Sequence, residues 1–283
     1  MAPAPTELED ALLWKISKKG MQHDSYLYGT IHIINSEDYF LPKGTLSAMD
    51  ASSKMMFEID MTEMSDPAKQ MGMLNKAFMS DGKTLGDLLS DEDYAIVEAH
   101  FKDQGLPLFM LERIKPMFLS VFAMGGDGID MGGLQDGSIK SYEMEFMEIA
   151  QQQDKPVGGL ETIDYQISVF DSIPYDEQAK MLVEMIQESD SGSEQFDDMV
   201  KMYRSQDINT MAGSLQDEKS GMGDYEDILL RKRNENWIPV MGKEMAAQPT
   251  FFAVGAAHLG GRYGVIPLLR QAGYSLTPVS QVQ

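Results

Sequence analysis

Pro249-Thr250-Phe251-Phe252-Ala253-Val254-Gly255-Ala256-Ala257-His258-Leu259-Gly260-Gly261 is the stretch from which the rest of the chain can be read. Thr250 to Val254 is a short, almost wholly apolar run, the pattern of a strand buried on both faces. Gly255 closes it, and Gly264 to Ala272 then has helical spacing. Near the other end, Tyr26-Leu27-Tyr28-Gly29-Thr30-Ile31-His32-Ile33 repeats the plan: an apolar run, Gly, two small or apolar residues, His and an aliphatic. The chain has only 4 histidines, and two of them occupy these matched positions. The echo suggests two pseudo-equivalent halves.

Working outward, residues 12–34 read as a β-hairpin, with Leu12 to Ile16 and Ser25 to Gly29 as strands and Lys18-Lys19-Gly20 as turn chemistry. Leu46 to Lys54 has helical spacing. Met55 to Asp60, Lys155 to Glu161 and Tyr274 to Val279 read as further short strands. Long helical insertions separate them, at about 62–155 and 163–236. They include an amphipathic helix running to Phe101 after a Ser90 cap, an apolar helix from Arg113 to Met124, and a helix from Ser141 to Gln152 with acids on one face. Acid-rich stretches at Ser189–Asp198 and Gln216–Tyr225 read as loops. Met124 to Gly133 is Gly-rich but lacks the Lys-Ser/Thr ending of a phosphate loop, so it reads as a surface loop. The expected fold is α/β: a central mixed sheet in two pseudo-symmetric halves with large helical insertions, as one domain over 12–283 after a flexible tether at 1–11.

The net charge of −22 disfavours nucleic acid and anionic membrane surfaces as partners. The absence of cysteine removes disulfides, thiolate metal sites and cysteine nucleophiles. The 24 methionines read as core and helix packing. No stretch approaches the roughly 18 apolar residues of a membrane span. No signal peptide is visible; the Pro-rich start, Met1 to Glu7, reads as the exposed beginning of an exported chain, with a lipid anchor open if an upstream signal was removed.

Ligands of open α/β sheets bind beyond the carboxyl ends of strands. Four polar segments lie at such ends: His32, Glu58 with Asp60, Glu161, and His258. Alternation places Glu58 and Asp60 on one face of their strand, and the glycines before each His let the backbone turn sharply and approach a ligand. Imidazole with carboxylate suits a divalent metal such as manganese, cobalt or zinc. The same histidines suit metal-free general base catalysis beside a Glu. His23, in a turn, and His100, on an amphipathic helix, read as structural. Arg231-Lys232-Arg233-Asn234-Glu235-Asn236-Trp237 is a basic island. It is either a helix end favouring cations, or Arg233 and Asn234 hold a substrate carboxylate or a developing oxyanion. No Gly-x-Ser-x-Gly, His-Glu-x-x-His or dinucleotide fingerprint occurs.

Taken in order, Tyr-Leu-Tyr-Gly-Thr-Ile-His (26–32), Phe-Glu-Ile-Asp (57–60), Gly-Gly-Leu-Glu-Thr (158–162), Arg-Asn-x-x-Trp (233–237) and Val-Gly-Ala-Ala-His-Leu-Gly-Gly (254–261) resemble the TraB/GumN/TIKI family, a relative of the erythromycin-esterase/ChaN-like group. The resemblance runs from about Leu12 to Pro278. It implies a pseudo-symmetric α/β fold and a site of His32, Glu58, Glu161, Arg233, Asn234 and His258. Its TIKI branch is described as metal-dependent proteases, and its TraB-like members are linked to peptide pheromones. The esterase relatives use His and Glu without an obligatory metal. The leading expectation is a hydrolase of peptide or amide bonds, with His32 and His258 as metal ligands, Glu58 or Glu161 as the third, and the other Glu as base. Two alternatives are a metal-independent esterase-like enzyme and a non-catalytic protein that binds a peptide or a haem-like ligand.

Overall fold

The hairpin forms as read: β1 (Leu13–Ser17) pairs antiparallel with β2 (Ser25–Thr30), Trp14 opposite Leu27. In the computed structural model, which describes residues 7–65, 67–103, 105–123, 137–190, 194–214 and 225–279, this hairpin is one side of a six-stranded sheet. Its other strands are β4 (Lys54–Ile59), β6 (Val157–Glu161), β7 (Thr250–Gly255) and β8 (Ser275–Pro278). The order is β6-β4-β7-β2-β1-β8. The four strands β6, β4, β7 and β2 run parallel, and β1 runs against both β2 and β8. This is a mixed α/β fold, and its four parallel strands release their carboxyl ends along one edge.

The alternation of each strand fills two faces. Tyr28 and Phe251 lie on one, against Phe146 of the helix α5 (Tyr142–Gln152), with ring centroids 5.1 and 5.7 Å apart. On the opposite face Trp14 stacks under Arg270 of the helix α11 (Val265–Gln271). β7 is buried from Thr250 to Val254, as a central parallel strand must be.

Between the strands lie α1 (Thr45–Asp50), α2 (Pro67–Ala77), α3 (Asp91–Asp103), α4 (Pro116–Ala123), α6 (Ile163–Asp171), α7 (Tyr175–Asp190), α8 (Glu194–Ser205), α9 (Ile208–Ser214) and α10 (Lys232–Ala247). The two insertions share a core of their own. Leu85, Val97, Phe101 and Leu119 from the first pack on Leu182, Val183 and Ile186 of α7 from the second. A minimal second sheet, β3 (Ile34–Asn35) with β5 (Ile139–Lys140), ties the end of the first insertion to the segment after His32.

Three expectations change. The tether read over 1–11 is packed from Leu8 onward: Leu8 and Ala11 are buried in the main core, and Leu8 exchanges backbone hydrogen bonds with the Asn209 amide. Apolar anchors there offset the pull of the flanking prolines. The loop read at 189–198 is helical through Asp190 and again from Glu194. Of the motif glycines, read as places where the backbone turns sharply and approaches a ligand, Gly29 serves close packing within the protein. Neither Gly29 nor Gly255 has positive φ, and a Cβ on Gly29 would sit 2.6 Å from Leu259 and 3.1 Å from Ala256. The Gly-rich stretch 124–133 and most of 216–225 lie outside the described residues.

Gly159, on the edge strand β6, has no room for a side chain. A Cβ there would lie 2.5 Å from the Asp60 nitrogen, a backbone atom that cannot step aside. Gly159→Ala is expected to cost about 1–3 kcal/mol through overpacking. Gly72→Ala, in an open position on α2, should be neutral or stabilising by up to about 1 kcal/mol. Urea unfolding of the two variants checks the contrast.

Candidate active site

The carboxyl ends of the four parallel strands carry the polar groups that the sequence singled out. Glu58 is near the end of β4, Glu161 ends β6, His32 follows β2, and His258 follows β7 in a single 3₁₀ turn, Ala256–His258. α10 supplies Arg233, Asn234 and Trp237, all buried, after one turn of π-helix, Asp227–Arg231.

Arg233 joins the two carboxylates. Its Nη2 donates to Glu58 Oε2 at 2.6 Å and to Glu161 Oε1 at 2.7 Å, and its Nε donates to Glu161 Oε1 at 3.0 Å. Nη1 donates to Leu229 O at 3.1 Å and stands 3.3 Å from His258 Nε2. All five guanidinium N–H groups are thereby used. Trp237 Nε1 donates to the second oxygen of Glu161 at 2.9 Å, and the Gly255 N–H donates to Glu58 Oε1 at 2.8 Å. The side chains of Arg233, Glu161 and Glu58 are 7%, 4% and 14% exposed, so this is a buried ionic cluster.

His258 is fixed from behind. Asn234 Nδ2 donates to Tyr263 O at 2.9 Å and faces His258 O at 3.4 Å. Those two carbonyls decide which end of the amide is nitrogen. The Asn234 oxygen therefore points at His258 Nδ1, 2.6 Å away, and must accept its proton. His258 is consequently the Nδ1–H tautomer, and its unprotonated Nε2 accepts from Arg233 Nη1 and lies 3.8 Å from Glu58 Oε1. Burial pushes its pKa down to about 3, so it is neutral.

His32 is the open member of the set, with its side chain 74% exposed. Its Nδ1 lies 3.3 Å from Glu143 Oε1. Glu143, in the first turn of α5, also accepts from Thr30 Oγ1 at 2.8 Å and from Ser141 Oγ at 3.2 Å. The hydrogen bond to Glu143 raises the His32 pKa to about 9. Burial alone would raise Glu58; Arg233, both histidines and the Gly255 N–H outweigh it and bring Glu58 down from 4.5 to about 2. Glu161 goes the other way, because burial exceeds the stabilisation by Arg233 and Trp237.

The structure thus brings Glu58, Glu161, Arg233, Asn234 and His258 into one bonded set, with His32 at its open side. Asp60 lies just past β4 and bonds elsewhere: its Oδ1 accepts from Thr62 N and Oγ1, capping the turn Met61–Ser65. The local turn overrides strand alternation there. Arg233 and Asn234, read from the sequence as groups for a substrate carbonyl, spend their donors on the protein itself. Sequence reading missed Glu143, because three acids, Glu143, Glu145 and Glu148, share its helix and only the fold selects one. His23 bonds the Met245 carbonyl, and His100 is buried on α3, away from this set.

For a divalent metal, the donor chemistry fits in kind. Both histidines have Nδ1 engaged; His32 Nε2 becomes a donor when it gives up its proton, His258 Nε2 is unprotonated and shared with Arg233 Nη1, and Glu58 Oε1 faces His258. Both carboxylates already accept from the protein, Glu161 from Arg233 and Trp237 and Glu58 from Arg233 and the Gly255 N–H; Glu58 fits better because its Oε1 lies 3.8 Å from His258 Nε2. Among the described residues, no three His, Asp or Glu side chains already stand together as a metal cluster.

Removing the cation from this cluster should be costly. Arg233→Met leaves two buried carboxylates unpaired and is expected to lose about 3–5 kcal/mol. The sign of the acid response follows from Glu58. Its contribution is present above about 4.5 and is lost as pH falls through about 2. The raised Glu161 partly offsets this, because it favours the fold as it protonates. Urea titrations of wild type and Arg233→Met at several pH values check both, and the variant should lose the steep wild-type decline.

The chain is 23% identical to Metalloprotease TIKI1 of Danio rerio over 96% of its own length and 64% of that protein's. It is 24% identical to Metalloprotease TIKI2 of Xenopus tropicalis, over 99% and 62%, and to Metalloprotease TIKI1 of Homo sapiens, over 98% and 63%. It therefore spans somewhat under two thirds of the length of these relatives. The model of the TraB/PrgY/gumN family matches residues 12–278, nearly the whole chain, with both Gly-x-x-His segments inside it, and the protein belongs to that family.

Proposed function

We propose that the protein is a metal-dependent hydrolase of peptide or amide bonds, whose site is formed by His32, His258 and Glu58. The observation that carries this reading is the fixed tautomer of His258. A buried, neutral imidazole with Nδ1–H held by Asn234 and Nε2 unprotonated is how a metal-ligating histidine is prepared, and a metal at Nε2 would displace the Arg233 Nη1 contact. The names of the metalloprotease relatives support the reaction class.

His32 Nε2, His258 Nε2 and Glu58 Oε1 would hold the ion. When bound, manganese, cobalt or zinc supplies Lewis acidity that activates a water and polarises the scissile carbonyl. The chain's own residues do the rest. Glu58, kept anionic at neutral pH, suits a ligand better than a base. Glu161 holds Arg233, and Arg233 sets the position of Glu58 and the rim of His258. His32, on the open side, is the member a substrate reaches first.

A second reading has an observation of its own. Arg233 already supplies a positive charge between Glu58 and Glu161. With a protonated His32 and a neutral His258, the cluster is also a matched acid and base for ester or amide hydrolysis without metal.

Chelator-free purification followed by elemental analysis separates the readings. We expect one divalent metal per chain, lost in His32→Ala and in His258→Ala while far-ultraviolet circular dichroism is unchanged. Peptide hydrolysis should stop with chelator and return with manganese, cobalt or zinc. A wild type that takes up no metal defeats the first reading. Ester turnover under chelation then supports the second, and stoichiometric peptide binding without turnover contradicts both.

A further inference from the structure

We propose that Glu143 is the positioning residue of His32, an outer carboxylate that holds the imidazole by Nδ1 and aims Nε2 into the site. The inference rests on the hydrolase reading above and adds a residue from the first helical insertion to its site.

Three observations support it. The first is the carboxylate's restraint. Thr30 Oγ1 and Ser141 Oγ both donate to Glu143, so each carboxylate oxygen has a fixed neighbour before the imidazole is considered. Thr30 is itself 2% exposed, at the end of β2, so the anchor is part of the sheet. The second is the delivery of Glu143. β3 begins two residues after His32, and β5 ends three residues before Glu143. The pairs Ile34–Lys140 and Asn35–Ile139 therefore set the two side chains at a fixed spacing. The Ser36 N–H donates to Ser138 O at 2.8 Å and continues the register. Tyr142 OH donates to Phe40 O at 2.7 Å, and the Tyr142 ring packs on Tyr39 at 4.7 Å, locking the start of α5 to the same segment.

The third is the comparison with His258. Each Gly-x-x-His imidazole has an oxygen acceptor at Nδ1: Asn234 Oδ1 for His258 and Glu143 Oε1 for His32. Both acceptors come from a helix rather than from the motif's own strand. In the first motif the residue after Gly29 is Thr30, whose hydroxyl anchors the acceptor. In the second motif it is Ala256, and the Asn234 amide is anchored instead by backbone carbonyls. The two histidines are thus held alike by different chemistry. An exposed imidazole without such a partner would rotate freely and lose ring entropy on binding a metal.

Two measurements on the full chain test this. The first is proton NMR of the metal-free protein, observing the ring Nδ1–H of His32, which exchanges too fast to be seen when it faces water alone. We expect the signal in wild type, its loss in Glu143→Ala, and its retention in Glu143→Gln, whose amide oxygen still accepts. The second is calorimetric titration with zinc, where Glu143→Ala should bind about ten- to hundredfold more weakly and Glu143→Gln should recover part of that loss. Thr30→Val leaves the carboxylate present but held by Ser141 alone; it should weaken both readouts, and it carries the test if Glu143→Ala does not fold. A Nδ1–H signal that persists in Glu143→Ala, or zinc affinity equal to wild type in a folded Glu143→Ala, overturns the proposal. Failure of the wild type to bind any divalent metal overturns the metal-dependent reading instead, and the ring signal still decides the role of Glu143.

Discussion

A single guanidinium lies between two carboxylates from two neighbouring strands, and the site takes its shape from that contact. Arg233 reaches from α10 to Glu58 on β4 and to Glu161 on β6, while its remaining N–H groups close on the Leu229 carbonyl and His258 Nε2. Taken out of water separately, each of these charges would be expensive. Together they leave none of the five arginine donors without an acceptor. The geometry of α10 then follows. Trp237, four residues on, lies over the guanidinium and donates to Glu161, and Asn234 falls beside His258. One helix thus serves both carboxylates and one histidine.

The two Gly-x-x-His segments lie side by side on the central parallel pair, β2 and β7, but not as copies. Thr30 pairs with Gly255 and Gly29 with Val254, so the motifs are offset by one residue. After Gly255 the chain turns tightly and buries His258. After Thr30 it extends toward β3 and leaves His32 open. One imidazole is therefore dry, neutral and fixed by an amide, and the other is wet and paired with a carboxylate. The first insertion contributes that carboxylate from the start of α5, which gives the added helices a structural connection to the site.

Much of this was legible in the chain. The hairpin, β4, β6 and β7 announce themselves by apolar runs ending at turn residues. His32, Glu58, Glu161 and His258 are conspicuous because each is a polar group at the end of such a run. What escaped the sequence depends on distance or on brevity. β3 and β5 are two residues each, too short for any periodicity. Glu143 meets Thr30 across 113 positions, and nothing local separates it from the other acids of α5. Asp60 follows the alternation on paper, but Thr62 offers it two nearer donors. Leu8 and Ala11 were hidden among prolines and acids that read as tether. Arg233 and Asn234 were legible as site residues, but their saturation by partners within the protein needed the third dimension.

The central claim is that both Gly-x-x-His histidines serve one ligand-binding centre beside the Arg233 cluster. Anomalous diffraction from a crystal soaked in zinc or manganese tests it most directly. The account expects one strong peak within bonding distance of the Nε2 atoms of His32 and His258 and of a Glu58 oxygen, with Asn234 and Glu161 still holding their present partners. A peak that ligates neither histidine, or no peak from a soak that leaves both rings accessible, would contradict it.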